Sequence, residues 1–270
     1  MDKRPVGIFD SGIGGLTVLH EIGRLLPGEN LIYLGDTARV PYGTKSMDTV
    51  VRYSVENTRF LLSKDVKAVV IACNTASAAA MDFLRAEFDL PVLGVIEAGV
   101  EEAIRRAPSG RIGVIGTSAT IQSGKYERLL RKNGITKVIS AACPLFVPLA
   151  EEGWTDNKVA EDVARIYLEP FTNNSVDALI LGCTHYPLLE KVIAKICGDG
   201  VALINSASAI AVKLKEQLSA TGLQNDGGGE RRYYFTDSIE RAREVGSRFL
   251  GENMDNRIQS ADLTEFTNPI

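Results

Sequence analysis

Short apolar runs alternate along the chain with longer segments of helical spacing. Runs at 6–9, 31–34, 68–72, 91–95, 111–115, 137–140, 201–204 and 232–235, with another from Asp177 up to Cys183, have the length of strands. Several are apolar without alternation, which suits strands buried on both faces of a parallel sheet. Between them lie helical patterns. Val18, Leu19, Ile22, Leu25 and Leu26 mark one face and stop at Pro27-Gly28; Val159, Val163, Ile166 and Tyr167 mark another. Further helices are predicted from near Ser46, over 78–88, from Ala98 to Arg106, over 207–218 and over 237–250. Strand and helix in regular succession predict an α/β fold with parallel sheets.

The pattern also repeats. The run 68–72 ends in Cys73-Asn74-Thr75, and the run from Asp177 ends in Cys183-Thr184-His185, 110 residues later. The opening strand ends in Asp10-Ser11, and the strand 111–115 ends in Gly116-Thr117, with Ser11 and Thr117 separated by 106 residues. The strand before Glu97 has its counterpart before Asn205-Ser206, with Glu97 and Ser206 separated by 109. Three strand tips recurring in the same order at nearly one offset indicate a domain-sized duplication, far longer than a solenoid repeat. The fold expected is two similar α/β domains with mainly parallel sheets, related by a pseudo-twofold, with the active site in the cleft between them. Residues 1–97 with 207–270 would form the first domain and 98–206 the second, the carboxyl-terminal tail returning to the first half.

Composition narrows the function. At 270 residues the chain is long enough for two domains. Hydrophobic residues make up 45% and charged residues 24%, ordinary for a globular protein. A net charge of −4 gives no basic excess for nucleic acid. No apolar run reaches membrane-spanning length, and the first residues lead directly into a strand with no room for a signal peptide. The expected location is cytoplasmic, where the four cysteines would stay reduced. Cys143 and Cys197 read as small buried hydrophobes.

Functional side chains collect where parallel strands end. Asp10-Ser11-Gly12-Ile13-Gly14-Gly15 is a glycine-rich turn between strand and helix, but Thr17 stands where a dinucleotide fingerprint requires glycine, and no Walker lysine follows. The turn reads instead as a close approach to a small ligand, or as a plain capped turn. The loop 35–43, with Pro41 and Gly43 around Tyr42, lies at another strand tip. Cys73 and Cys183 each precede a helix start, where backbone N–H groups favour a thiolate. Brought together across a pseudo-twofold cleft, two thiols suit removal of a proton from one face of a carbon and delivery to the other, which is racemisation or epimerisation. Asp10 is placed to handle the proton of one thiol and His185 that of the other. A metal site would draw on the same residue types, but no CxxC or HxxxH spacing is present. A non-catalytic amino-acid-binding module would also have two lobes around a cleft, and leaves the matched cysteines unexplained.

The motifs D-S-G-I-G-G-L (10–16), G-D-T-A-R-V-P-Y-G (35–43), C-N-T-A-S (73–77) and G-C-T-H-Y-P-L-L (182–189) together resemble the glutamate racemase family, and the likeness runs through almost the whole chain. The resemblance implies cofactor-independent interconversion of L- and D-glutamate, with D-glutamate feeding peptidoglycan synthesis. It implies Cys73 and Cys183 as the acid/base pair, assisted by Asp10 and His185, and a carboxylate of the Glu151-Glu152 pair near the second thiol, with Glu152 preferred. Substrate contacts are implied for Asp10, Ser11, Pro41, Tyr42, Gly43, Asn74, Thr75, Thr117, Thr184 and His185. No metal and no cofactor are implied, the partner is the small-molecule substrate, and a homodimer is expected. A related racemase acting on aspartate is the nearest alternative.

Overall fold

The computed structural model describes residues 2–254 and 257–267. The first half runs β1 (Val6–Asp10), α1 (Leu16–Leu25), β2 (Leu31–Gly35), α2 (Met47–Leu62), β3 (Ala68–Ile71), α3 (Asn74–Glu87), β4 (Val92–Gly94) and α4 (Val95–Arg106). The second runs β5 (Ile112–Gly116), α5 (Ser118–Gln122), α6 (Lys125–Lys132), β6 (Val138–Ala142), α7 (Phe146–Glu151), α8 (Lys158–Asn173), β7 (Ala178–Gly182), α9 (Glu190–Cys197), β8 (Ala202–Asn205) and α10 (Ser206–Thr221). The tail adds β9 (Arg231–Phe235), α11 (Ile239–Leu250) and β10 (Ile258–Ser260).

The strands form two sheets, with the orders β10-β9-β2-β1-β3-β4 and β6-β5-β7-β8, and every strand pairing is parallel. Raising each number in β2-β1-β3-β4 by four gives β6-β5-β7-β8, so the duplication seen in the sequence is a duplication of topology. The tail joins the larger sheet, β9 pairing with β2 and β10 with β9. β1, β2, β3, β5 and β7 are buried at every position, as their unbroken apolar runs predict. Two apolar cores flank each sheet, and α10 contributes Ala207, Ile210, Leu214 and Leu218 to the core it shares with α1.

Chain direction then places the chemistry. In parallel sheets all carboxyl tips share one edge. The chain leaves β1 for β2 on one side and comes back for β3 on the other, so the crevice between β1 and β3 is the switch point where ligands bind. Asp10 stands at the end of β1 and Cys73 just past β3. By the same order, Thr117 follows β5 and Cys183 follows β7.

The helix expected from 78 starts at Asn74, because Cys73 serves as its cap: its Sγ accepts from the Ala76 backbone N–H at 3.5 Å. The glycine-rich stretch 224–230, whose composition reads as a flexible loop, is pinned. The buried Asn225 donates from its backbone to Glu29 Oε1 at 2.6 Å and from its side chain to the Gly28 carbonyl at 2.9 Å. Glu29 is paired with Lys67 at 2.6 Å, both side chains fully inaccessible. Lys67 also donates to the carbonyls of Asp2 and Leu223. One ammonium thus ties the amino-terminal segment, the α1–β2 turn and the tail together. Replacing one partner of such a pair strands the other charge in the interior. Lys67→Met is expected to lower the free energy of unfolding by about 3–5 kcal/mol, read from urea denaturation; a loss below about 1 kcal/mol, the scale of a surface pair, would show that Glu29 finds another partner.

Candidate active site

Seventeen residues line one cavity of about 100 Å³ between the two sheets. Asp10, Ser11, Pro41, Tyr42, Gly43, Cys73, Asn74, Thr75, Thr117, Cys183, Thr184 and His185 are all among them. The sheet edges explain the gathering: each of these side chains sits at or just beyond a strand's carboxyl end.

On the first side, Cys73 is almost entirely buried, with its Sγ 3.6 Å from Ser11 Oγ. Burial, reinforced by the Asp10 carboxylate, pushes the thiol up to about 12. Asp10 accepts from the Gly12 backbone N–H at 3.1 Å through Oδ2, and its Oδ1 is buried without a hydrogen-bond partner. Burial raises the Asp10 carboxyl above the ordinary range, against the opposing pull of His185. A carboxylate oxygen held this way is ready for a cation or a proton.

On the second side, Cys183 Sγ is 3.8 Å from His185 Nδ1, and His185 Nε2 is 3.1 Å from Glu151 Oε1. Burial alone would depress the imidazole; its hydrogen bonds to Cys183 and Glu151 outweigh that and push it up to about 10. The same bond to His185 holds Glu151 below its usual range. Thiol, imidazole and carboxylate therefore form a line along which a proton can move.

Glu152, the carboxylate preferred from the sequence, is not in this line. Its contact is with Arg241, at 3.4 Å, and its side chain is 62% exposed. The reason is helical geometry. The apolar segment after Pro144 forms α7, in which Val147 and Glu151 are four residues apart, share a face and both line the cavity. Glu152 follows the helix and lies around its axis from that face.

Two further features were not visible in the sequence. Thr120 completes a trio of hydroxyls with Thr75 and Thr117, at 3.2, 2.9 and 3.2 Å, joining α3 to the start of α5 across the cleft. Its spacing of three from the capping Thr117 was the available signal. α11 closes over the dyad: Arg241 reaches Glu151 Oε2 at 3.3 Å, Arg248 donates to the Glu151 carbonyl at 3.0 Å, and Phe249 meets the His185 ring edge-on at 5.4 Å. Nothing local in 239–250 signals those contacts.

The loop 35–43 is held from beneath. The Tyr42 hydroxyl donates to Asp36 and accepts from Asn57 Nδ2 at 3.0 Å, while Arg39 pairs with Asp36 at 2.7 Å and with Glu56. The buried ring and its network fix the backbone that Pro41, Tyr42 and Gly43 present to the cavity. Among the described residues no cluster of three His, Cys, Asp or Glu side chains is arranged to hold a metal ion, and no helix is long and apolar enough to cross a membrane.

The duplicated α/β fold is that of an amino-acid racemase family. The family described as Asp/Glu/Hydantoin racemase matches residues 13–214, and the chain belongs to it. It is 50% identical to the glutamate racemase of Geobacter metallireducens, covering 93% of this chain and 94% of that one. The crystal structure of glutamate racemase from Francisella tularensis in complex with D-glutamate is similar with a TM-score of 0.91 at 40% identity, covering 98% and 100% of the two chains. That of the Thermus thermophilus glutamate racemase in complex with beta-chloro-D-alanine gives 0.89 at 44% identity, covering 98% and 100%.

The two halves meet closely at Gly14. A Cβ there would lie 2.3 Å from Thr184 Oγ1 and 2.4 Å from His185 Cε1. Gly14→Ala must therefore push the Thr184–His185 turn aside. Misplacement by about 1 Å is enough to cost on the order of 10²-fold in turnover, so kcat/KM is expected to fall at least that far while circular dichroism stays native. Activity within a few fold of the unsubstituted protein would mean that the turn yields without consequence.

Proposed function

We propose that this protein is a cofactor-independent glutamate racemase that works by two-cysteine acid/base catalysis. The observation carrying the reading is that Cys73 and Cys183 line one cavity and each has its own proton-handling neighbour, Asp10 for one and the His185–Glu151 dyad for the other. The relatives named above support glutamate as the substrate. The catalytic units are taken as 1–97 with 207–270 and 98–206. The assigned role is supply of D-glutamate for peptidoglycan, in the cytoplasm and as a homodimer, following the family resemblance.

In this reading Cys73 removes the α-proton of D-glutamate and Cys183 removes that of L-glutamate, while the thiol opposite donates. The resting Cys73 thiol becomes a base only as charge in the cavity changes. A substrate ammonium near Asp10 offsets the carboxylate that opposes thiolate formation. Backbone N–H groups at the start of α3, at Asn74 and Thr75, offer an anion site for a substrate carboxylate. Tight burial keeps water from the carbanion-like centre and strengthens each of these interactions.

Two opposed bases have an isotopic signature. The thiol facing the product side exchanges with solvent before substrate arrives. In deuterated water, product is expected to carry α-deuterium from the first turnovers, while recovered starting enantiomer keeps its protium. Cys73→Ala and Cys183→Ala should each abolish racemisation. Early product containing substrate protium, or a single-cysteine variant that still racemises, would exclude the mechanism. Parallel assays with aspartate enantiomers test the choice of substrate.

The dyad gives a second test. His185 is raised from 6.5 to about 10, so its protonated form contributes stability that is complete below about 6.5 and is lost as pH rises to about 10. Glu151→Gln removes the negative partner and brings that value down. The alkaline limb of kcat/KM should shift to lower pH, with kcat reduced by less than the 10²–10⁴-fold typical of losing an acid/base group itself. Stability between neutral and alkaline pH should fall as well. Glu152→Gln should leave the limb in place; a larger shift from Glu152→Gln than from Glu151→Gln would reverse the assignment.

A further inference from the structure

Tyr126 belongs to α6 of the second half, yet its hydroxyl is bonded into the first. It donates to Asn74 Oδ1 at 2.7 Å, from a ring only 2% exposed. The hydroxyl also lies 3.5 Å from Ser206 Oγ, and Ser206 donates to the Leu181 carbonyl at 3.3 Å. This chain of hydroxyls runs from the residue after Cys73 to β7, the strand just before Cys183. α4 makes room for it with Gly99, where a Cβ would stand 2.9 Å from Ser206 Oγ and 3.6 Å from the Tyr126 hydroxyl.

The bond decides which way an amide points. Asn74 lines the cavity and is itself buried. An amide has one acceptor end and one donor end. The Tyr126 hydroxyl has a single proton and directs it to Asn74 Oδ1, so Asn74 presents its oxygen to Tyr126. Its Nδ2 group then faces the cavity, and among the described residues no protein group accepts from it. A donor aimed into a binding cavity recognises an acceptor, and on an amino acid that is a carboxylate.

We propose that Tyr126 is a positioning residue that fixes the Asn74 amide so that its NH₂ binds a carboxylate of the substrate. The assignment rests on the glutamate racemase reading given above. Without the Tyr126 hydroxyl the amide is free to turn its oxygen toward the carboxylate, so the loss appears in substrate binding more than in proton transfer. Tyr126→Phe is expected to raise KM for both enantiomers about tenfold, the size of one hydrogen bond to a charged group, with kcat changed less than threefold. Calorimetric titration of D-glutamate should show the same weakening without turnover.

A double-mutant cycle separates positioning from a general structural effect. In an Asn74→Ala background, Tyr126→Phe should cost nothing more. Asn74→Asp, which keeps the Tyr126 bond but replaces the donor with a carboxylate, should weaken binding well beyond Asn74→Ala, and it provides the test if Tyr126→Phe fails to fold. Additive losses in the cycle, an unchanged KM in Tyr126→Phe, or Asn74→Asp binding as well as Asn74→Ala would each overturn the role of Tyr126 while leaving the racemase reading intact. An unsubstituted protein that neither binds nor racemises glutamate overturns that reading, and this assignment with it.

Discussion

The structure depends on a close contact across the cleft. The glycine-rich turn after β1 lies directly against the Thr184–His185 turn after β7, and Thr17 locks the meeting by donating to the carbonyls of both Gly14 and Thr184 at 2.9 Å. With this contact in place, the carboxyl edges of the two sheets face one small space. In that space burial raises Cys73 and Asp10, and hydrogen bonds raise His185, away from their ordinary protonation. The sheets, the helices and the salt-bridged periphery serve to hold this approach.

The two halves share a topology but support their thiols differently. Cys73 has a carboxylate neighbour with one oxygen unbonded, whereas Cys183 has an imidazole backed by a second carboxylate. Duplication supplied equivalent strand tips, and divergence supplied unlike partners. The two sides of the cavity therefore offer unlike chemical surroundings.

The reach of the sequence followed the range of the interactions. Strand tips were legible because a buried parallel strand is a local apolar run and its end is marked by the first polar residues, as at Asp10, Cys73 and Cys183. The repeat was legible because equivalent tips kept their spacing. Glu151 could not be separated from Glu152 without seeing that 146–151 is helical, since only the helical turn decides which carboxylate shares a face with Val147. Tyr126 and Thr120 lie in a stretch whose elements were not read. Arg241, Arg248 and Phe249 reach the site through tertiary docking alone, which leaves no trace in local pattern.

That docking of α11 has a consequence for the order in which the protein becomes competent. Both cysteines, Asp10, His185 and Glu151 have left the ribosome before residue 239 is made. The groups that clamp Glu151 and cover His185 come last, on a helix anchored by β9 to the opposite sheet. The line Cys183–His185–Glu151 is complete in the chain before the helix that packs over it has been added. The contacts that fix Glu151 and cover His185 are thus the last of the cavity's supports in chain order, and they bind the end of the chain to its middle.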